Sequence, residues 1–532
     1  MGSVVFALGV PVTHIFLRAF TPLRARWTYL LTLGAALGIL GLSDSVGSGG
    51  DFDIPQRPHL SAPKAYHATI YVAEDVGGPN GDHHEGVDQL LACMGSGNSR
   101  FYKSETPGPE SGPDGIVGAD DVVLIKISSQ WDQTGGTNTD VLKGVIARVL
   151  EHPDGFSGEI VIGENTQTWG SLDWEDSNAE DHGQSTMDVV NYFAGLGHPV
   201  SAYLWDDIRT ASVAEYDTGD MVDGYVVLPR EPYFRCKVSY PKFQTAGGAY
   251  ISLMHGIWDP AQETYDDSRF TFINLPILKC HGYQYGVTAC CKHHVGTMTT
   301  AISTYCHDGV YYGICGSFLG KVRMPDLNIL DCIYVLAHPD AGPWCTYEES
   351  TRLDHLVAGW DPVAIDIWAT VNILVPAIEA NGYTSYPMQD PDDPSSIFRQ
   401  YLDNSMTEML ALGITVTNDL SQITAFTCGS TSVEPDAVGS EIAVTVRVCP
   451  NPLTSGTTIQ LDLPVSQTVE ASIYDVKGRR LRTMREVVPA GQGQGIYWDG
   501  RNQNGVAVAP GTYYYRLTGL ERPVTGKMTV VR

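Results

Sequence analysis

Asn274–Gly296 reads NLPILKCHGYQYGVTACCKHHVG. It places two lysines, three histidines and three cysteines between an apolar run, Phe270–Leu278, and a short helical segment. Pro276 has no N–H to give to a ladder, so a strand ends there or lies at an edge. Gly282 and Gly286 permit a loop with positive φ. Thr288 is placed to cap a helix whose first turn is Ala289, Cys290, Cys291 and Lys292, with free N–H groups pointing into the loop. Surrounded by Lys279, His281 and Lys292, such a terminus suits an anion or a carboxylate. Cys290 and His294 share a helix face at metal-ligand spacing, which makes a bound transition metal a second candidate. The alternative is a buried turn in which the cysteines pack as small hydrophobes and the histidines are solvated.

Upstream, Val122–Ile127 is a continuous apolar run with Lys126 near its end. Thr139 opens an amphipathic helix with Val141, Leu142, Val145, Ile146, Val149 and Leu150 on one side. Ile160–Gly163, Met187–Leu196 and Val200–Trp205 continue the alternation of strand and helix. This order predicts an α/β core, a mixed and largely parallel sheet with flanking helices and right-handed crossovers. Ligands of such sheets gather at the carboxyl ends of the strands, which here carry Lys126, Ser128, Glu164, Asn165 and Asp206. Glu164 and Asp206 serve equally as caps of the loops that follow. No GxGxxG follows the first strand, so no dinucleotide is implied.

Downstream, Asp361-Pro362 is a helix start, aspartate as cap and proline in the first turn. Asp361 is a ligand-binding candidate whose structural alternative is that cap. Asp366 lies among apolar neighbours, where an unpaired carboxylate is costly, and is expected to orient Lys279 or Lys292. Asp75, Asp82, His83, His84 and Glu85 form a polar cluster in a Gly-Pro-rich stretch that reads as a solvated loop.

The central stretch resembles the family catalogued as domain of unknown function 362, whose members typically read NLPKLKTH and then GVTGALKN. Asn274-Leu275-Pro276, Lys279, His281, Gly286-Val287-Thr288 and Lys292 match, whereas Cys280, Cys290, Cys291 and His293 depart. Val122–Ile127 with Thr139–Leu150, and Leu327–Asp331 with AGWDPVAID at Ala358–Asp366, resemble the family's other blocks. The resemblance spreads over residues 66–425. It implies an α/β domain without a settled activity. Some relatives carry ferredoxin-like clusters, but no CxxC occurs here, so an iron–sulfur cluster is not expected.

The chain has 532 residues, too many for one ordinary core. Its 33 basic and 61 acidic residues give a net charge of −28, which argues against nucleic acid as a partner. Arg18, Arg24 and Arg26 before the apolar run Trp27–Leu42 read as a signal peptide, residues 1–45, followed by a linker, 46–65. Eleven cysteines in an exported chain suggest disulfides. Cys306 with Cys315 across a hairpin, Cys332 with Cys345, and Cys428 with Cys449 are pairings the spacing allows.

After a small-residue linker, 426–441, short alternating strands take over. Val444–Val448, Thr458–Leu463, Val469–Asp475, Gly495–Asp499, Thr512–Thr518 and Gly526–Val531 predict a small all-β immunoglobulin-like sandwich over 442–532. PNPLTSGTTIQLDLP, IYDVKGRRL and WDGRNQNGVAVAPGTYYYRL resemble the immunoglobulin-like domain of flagellar hook-capping proteins, similar in turn to type IX secretion sorting domains. That resemblance implies contact with export or cell-surface machinery.

Two functions fit the sequence. One is an extracytoplasmic protein whose core binds, or also converts, a small anionic ligand or metal-containing cofactor. Lys279 and Lys292 would neutralise charge, His281 transfer a proton or ligate, Asp366 orient, and Lys126, Glu164 and Thr288 complete the site. The other is a non-catalytic surface binding or structural protein.

Overall fold

Alternating residues of the apolar strands bury on opposite faces of one sheet, which is why these strands read as unbroken hydrophobic runs. Leu124, Val161 and Phe272 enter one core, and Val123, Ile125, Ile160 and Ile162 the other. The computed structural model describes residues 59–429 except 181, 219, 231–235, 283–284 and 303–305. It also describes 445–531 except 450–452, 454–455, 464–466, 476–478, 490, 504 and 519–523. The expected signal peptide, and residues 46–58 and 430–441 of the expected linkers, lie outside the described residues. The chain divides into two compact units at 431/432.

The first unit is built on a ten-stranded sheet. Its strands are β1 (Ala68–Glu74), β2 (Val122–Lys126), β3 (Glu159–Glu164), β4 (Val200–Leu204), β5 (Phe270–Asn274), β6 (Ile277–His281), β7 (Gly286–Thr288), β8 (Leu327–Leu336), β9 (Thr351–Gly359) and β10 (Ile423–Gly429). The order is β10-β1-β9-β8-β5-β2-β3-β4, with β6 beside β8 and β7 beside β6. The run β4-β3-β2-β5-β8 is parallel throughout, and β9 is antiparallel to both β8 and β1. The expected mixed, largely parallel sheet is therefore the observed one.

The helices start where their side chains can bind free N–H groups. Asn138 Oδ1 accepts the Asp140 N–H at 2.9 Å ahead of α2 (Thr139–Leu150). Ser185 and Asp188 form a reciprocal capping box on α3 (Thr186–Gly195). The polar cluster read as a solvated loop departs from expectation. His84 is buried and caps α1 (Glu85–Ser96), its Nδ1 accepting from the Gly86 N–H at 3.1 Å, and burial lowers its pKa to about 4.

Between β4 and β5 lies an antiparallel five-stranded sheet, from Gly224–Val227 to Thr264–Asp266, which the sequence reading did not anticipate. Cys306 does not begin a hairpin; Cys306–Val310 and Ile314–Lys321 are helical. None of the three spacing-based pairings forms: Cys428 is bonded to Cys93 instead, a bridge that ties α1 to β10. Cys315, Cys332 and Cys345 are free and buried. Strand β10 reaches Gly429, so residues 426–429 belong to the sheet and not to a linker.

The second unit holds a three-stranded sheet, Thr445–Cys449, Thr457–Leu463 and Gly491–Trp498. It also holds a four-stranded sheet ordered Arg480–Val488, Gln467–Asp475, Gly511–Thr518, Val524–Val530. Ile459, Leu461, Ile473, Trp498, Leu517 and Met528 form its core. Tyr513 pairs with Met528, inside this unit. Arg480–Val488 escaped notice because its charged, largely exposed sequence at the sheet edge hides the alternation.

Candidate functional site

Pro276 interrupts what would be one strand. β5 ends at Asn274, the Leu275 N–H donates to the Lys126 carbonyl at 2.8 Å, and β6 resumes at Ile277 beside β8. The shift sends Lys279 and His281 past the carboxyl ends of β2 and β3, where Lys126 and Glu164 stand. β7 then turns back antiparallel, pairing Lys279 with Thr288 and His281 with Gly286. Gly286 supplies the positive φ, 70°. Gly282 serves closeness instead: its N–H donates to the Ala341 carbonyl at 2.8 Å, and an added Cβ there would strike that oxygen.

The result is a small cavity of about 40 Å³. Lys126, Glu164, Lys279, His281, Thr288 and Lys292 all line it, so the expected lysines, histidine, threonine and glutamate are brought together. Lys126 Nζ meets Glu164 Oε2 at 2.7 Å, with both side chains buried. Burial pushes Glu164 up to about 7 against the pull of Lys126, and pushes Lys126 down. Lys279 donates to the Gly135 carbonyl. Its pKa falls to about 7 through burial and then through Lys292. Lys292 lies 4.8 Å from the centre of the Tyr285 ring, and burial lowers it to about 8. Among the described residues neither of these two lysines has a carboxylate within ion-pair distance, and Glu164 is the one acidic residue in the lining.

His281 Nδ1 and Thr288 Oγ1 lie 2.8 Å apart. Burial, with Lys292 and Lys279 nearby, holds the imidazole well below its ordinary pKa. Gly296 closes one wall: an added Cβ would sit 2.7 Å from Lys126 Nζ and 2.8 Å from Glu164 Oε1, so a larger residue there would displace the ends of this pair. Trp131 and Gln167 line the site but were not singled out in the sequence, since they come from loops without a motif of their own; His307 also lines it, from the short helix Cys306–Val310.

Three expected roles are corrected. Thr288 does not cap the following helix, α4 (Cys290–His293); it closes β7, and Ala289 stands at the cap position without a side-chain bond. Asp366 supplies the missing acceptor. Its carboxylate takes the Cys290 N–H at 2.7 Å and the Cys291 N–H at 3.0 Å, so it orients the helix that carries Lys292 and not the lysine itself. Asp361 lies outside the cavity lining, capping its helix at Val363 (2.9 Å) and Ala364 (3.0 Å) and accepting the Thr417 N–H at 2.9 Å. Cys290 and His294 are both fully buried, His294 stacking on Phe318 at 5.0 Å. Among the described residues no three His, Cys, Asp or Glu side chains gather in a way that could hold a metal ion.

Residues 268–371 match the family model described as domain of unknown function (DUF362). The DUF362 match contains Lys279, His281, Thr288, Lys292 and Asp366, whereas Lys126 and Glu164 reach the cavity from before it. Residues 452–522 match the FlgD Ig-like domain. No curated protein matches the chain.

Among solved structures, dimeric latent PorU from Porphyromonas gingivalis is similar at 23% identity and TM-score 0.15, over 20% of this chain and 10% of that one. PorZ, a surface component of the type-IX secretion system of the same organism, is similar at 26% and 0.13, over 16% and 11%. FlgD from P. aeruginosa is similar at 26% and 0.12, over 15% of this chain and 63% of that one. The chain thus spans about a tenth of PorU and PorZ and less than two thirds of FlgD.

Proposed function

We propose that the first unit binds a small anion, carboxylate or phosphate in character, in the cavity between Lys126, Lys279 and Lys292. The observation that carries this reading is the charge balance of the site: three buried lysines face one buried glutamate. An ammonium group removed from water with no carboxylate partner is costly, and here burial pushes Lys279 and Lys292 toward neutrality. An entering anion reverses that cost, drawing protons onto both lysines and forming charge-assisted hydrogen bonds. Thr288 offers a hydroxyl beside them, and neutral His281 offers one nitrogen to hold or pass a proton.

The protein acts outside the cytoplasm in this reading. A Cys93–Cys428 disulfide persists where thiols are oxidised, and the FlgD Ig-like segment suits attachment or sorting by export machinery. Calorimetric titration of the full chain with inorganic phosphate and with acetate tests the core of the proposal. One of the two should bind, and Lys279→Met and Lys292→Met should each weaken it at least about tenfold by removing one charge-assisted bond. Failure of both anions to bind, or unchanged affinity in both variants, would sink it.

A further inference from the structure

Three tryptophans distant in sequence gather at the cavity: Trp131 lines it, and Trp169 and Trp344 flank the Trp131 ring. Trp131 is half-buried and lines the cavity; its ring lies 6.4 Å from Trp169 and 5.9 Å from Trp344, inclined at 39° and 65°. The outer two are among the most exposed large apolar side chains described, Trp169 at 67% and Trp344 at 51%. A lone exposed indole is ordinary, but three that converge on the rim of a charged pocket are not explained by packing.

The loops that present them are fixed. The Trp169 loop carries two successive non-glycine residues at positive φ, Gln167 at 57° and Thr168 at 69°. Asp206 holds it there, its carboxylate accepting the Thr166 N–H at 2.7 Å and the Thr168 N–H at 2.5 Å. Gln167 itself is anchored across the cavity, its Nε2 donating to the Met298 carbonyl at 2.7 Å and its Oε1 accepting from the Thr300 hydroxyl at 2.8 Å. Gly170 packs against the backbone of Ser129 and Gln130, beside Trp131, where a Cβ has no room. On the other side, the Trp344 ring folds over Gly342, and Thr134 Oγ1 donates to the Cys345 carbonyl at 3.0 Å. Backbone conformations of this cost are kept where the surrounding structure enforces them, which suits a preformed surface.

We propose that this rim is an aromatic subsite, and that the anion bound below carries a flat aromatic ring. The inference rests on the anion site of the preceding section and names its substrate class. The ring would lie against Trp169 or Trp344, with Trp131 between it and the anionic group. Offset or edge contacts of this kind add affinity beyond the area they bury. Gln130, which lines the cavity next to Trp131, suits a polar link between the two parts.

The test compares inorganic phosphate, phenyl phosphate and cyclohexyl phosphate on the full chain and on the Trp169→Ala, Trp344→Ala double variant, with binding measured by calorimetry. Phenyl phosphate is expected to bind about tenfold or more tighter than inorganic phosphate, and tighter than cyclohexyl phosphate. The double variant should lose that advantage and keep the affinity for inorganic phosphate. Equal affinities for phosphate and phenyl phosphate would overturn the aromatic subsite and leave the anion site standing. Equal affinities for the phenyl and cyclohexyl esters would also overturn it, since burial alone would then account for the gain. If none of the three binds, the aromatic subsite fails as proposed, and the acetate titration of the preceding section decides whether the anion site stands.

Discussion

The carboxylate of Asp366 accepts the backbone N–H of Cys290 at 2.7 Å across 76 residues of chain. It thereby caps a helix that has no capping side chain of its own and fixes the residue two positions on, Lys292. Asp366→Ala leaves two buried N–H groups without acceptors, an expected loss of about 2–6 kcal/mol at roughly 1–3 kcal/mol each. Asp366→Asn keeps one acceptor and should lose about half as much. Denaturant melts check the stabilities, and anion affinity should fall in both variants as Lys292 moves.

Protonation gives a second handle. In the free protein Lys279 stands at about 7 and Lys292 at about 8, below their ordinary 10.5. A bound anion favours the charged forms, so binding should take up protons near pH 8. Affinity should fall as pH rises above about 7, by up to about tenfold per unit for each lysine. Titration in buffers of different ionisation heat reads the proton uptake directly; no uptake at pH 8 would contradict the buried-lysine account. Stability of the free protein moves the other way. The folded state binds fewer protons at these lysines than the unfolded chain, so their contribution grows from pH 7 toward 10. Glu164, raised to about 7, opposes this at lower pH, its contribution declining as pH rises from 4.5 to 7.

The Cys93–Cys428 bridge closes a loop of 335 residues. Loop entropy at that length is worth up to about 5 kcal/mol, so Cys93→Ser should lower the melting temperature markedly in oxidising buffer and leave it unchanged relative to the reduced parent. Peptide mapping should recover Cys93 joined to Cys428. Cys315, Cys332 and Cys345 should react with alkylating agents only on unfolding, because all three are buried.

Much of this was legible in the sequence, for identifiable reasons. Long apolar runs such as Val122–Lys126 and a capped helix such as Thr139–Leu150 announce themselves, because burial on both sheet faces leaves no polar interruption. Lys279, His281 and Lys292 were visible as ligand-capable groups concentrated around Pro276 and Gly286. The partner of Asp366 was not, because a carboxylate that binds backbone N–H groups leaves no mark in the side chains it serves. Nor were Trp169 and Trp344, each a lone tryptophan in a loop until the fold sets both beside Trp131. The five-stranded sheet was missed since its strands, three to six residues long, are too short to establish a period.

The second unit buries its own core through Ile459, Ile473, Trp498 and Leu517, and the cavity is lined entirely from the first. Residues 59–431 expressed alone should keep the anion affinity of the full chain within about twofold, as expected for independent sites. A folded truncation that no longer binds would show that the C-terminal unit contributes to the site.

The most direct test of the anion site is a crystal structure of the full chain grown with selenate, a tetrahedral anion located by its anomalous signal. The account predicts a selenium peak in the cavity between Lys279, Lys292 and Lys126, with oxygens at hydrogen-bond distance from at least two of the three Nζ atoms. Selenate bound only elsewhere on the protein, with the cavity holding water alone, would contradict it.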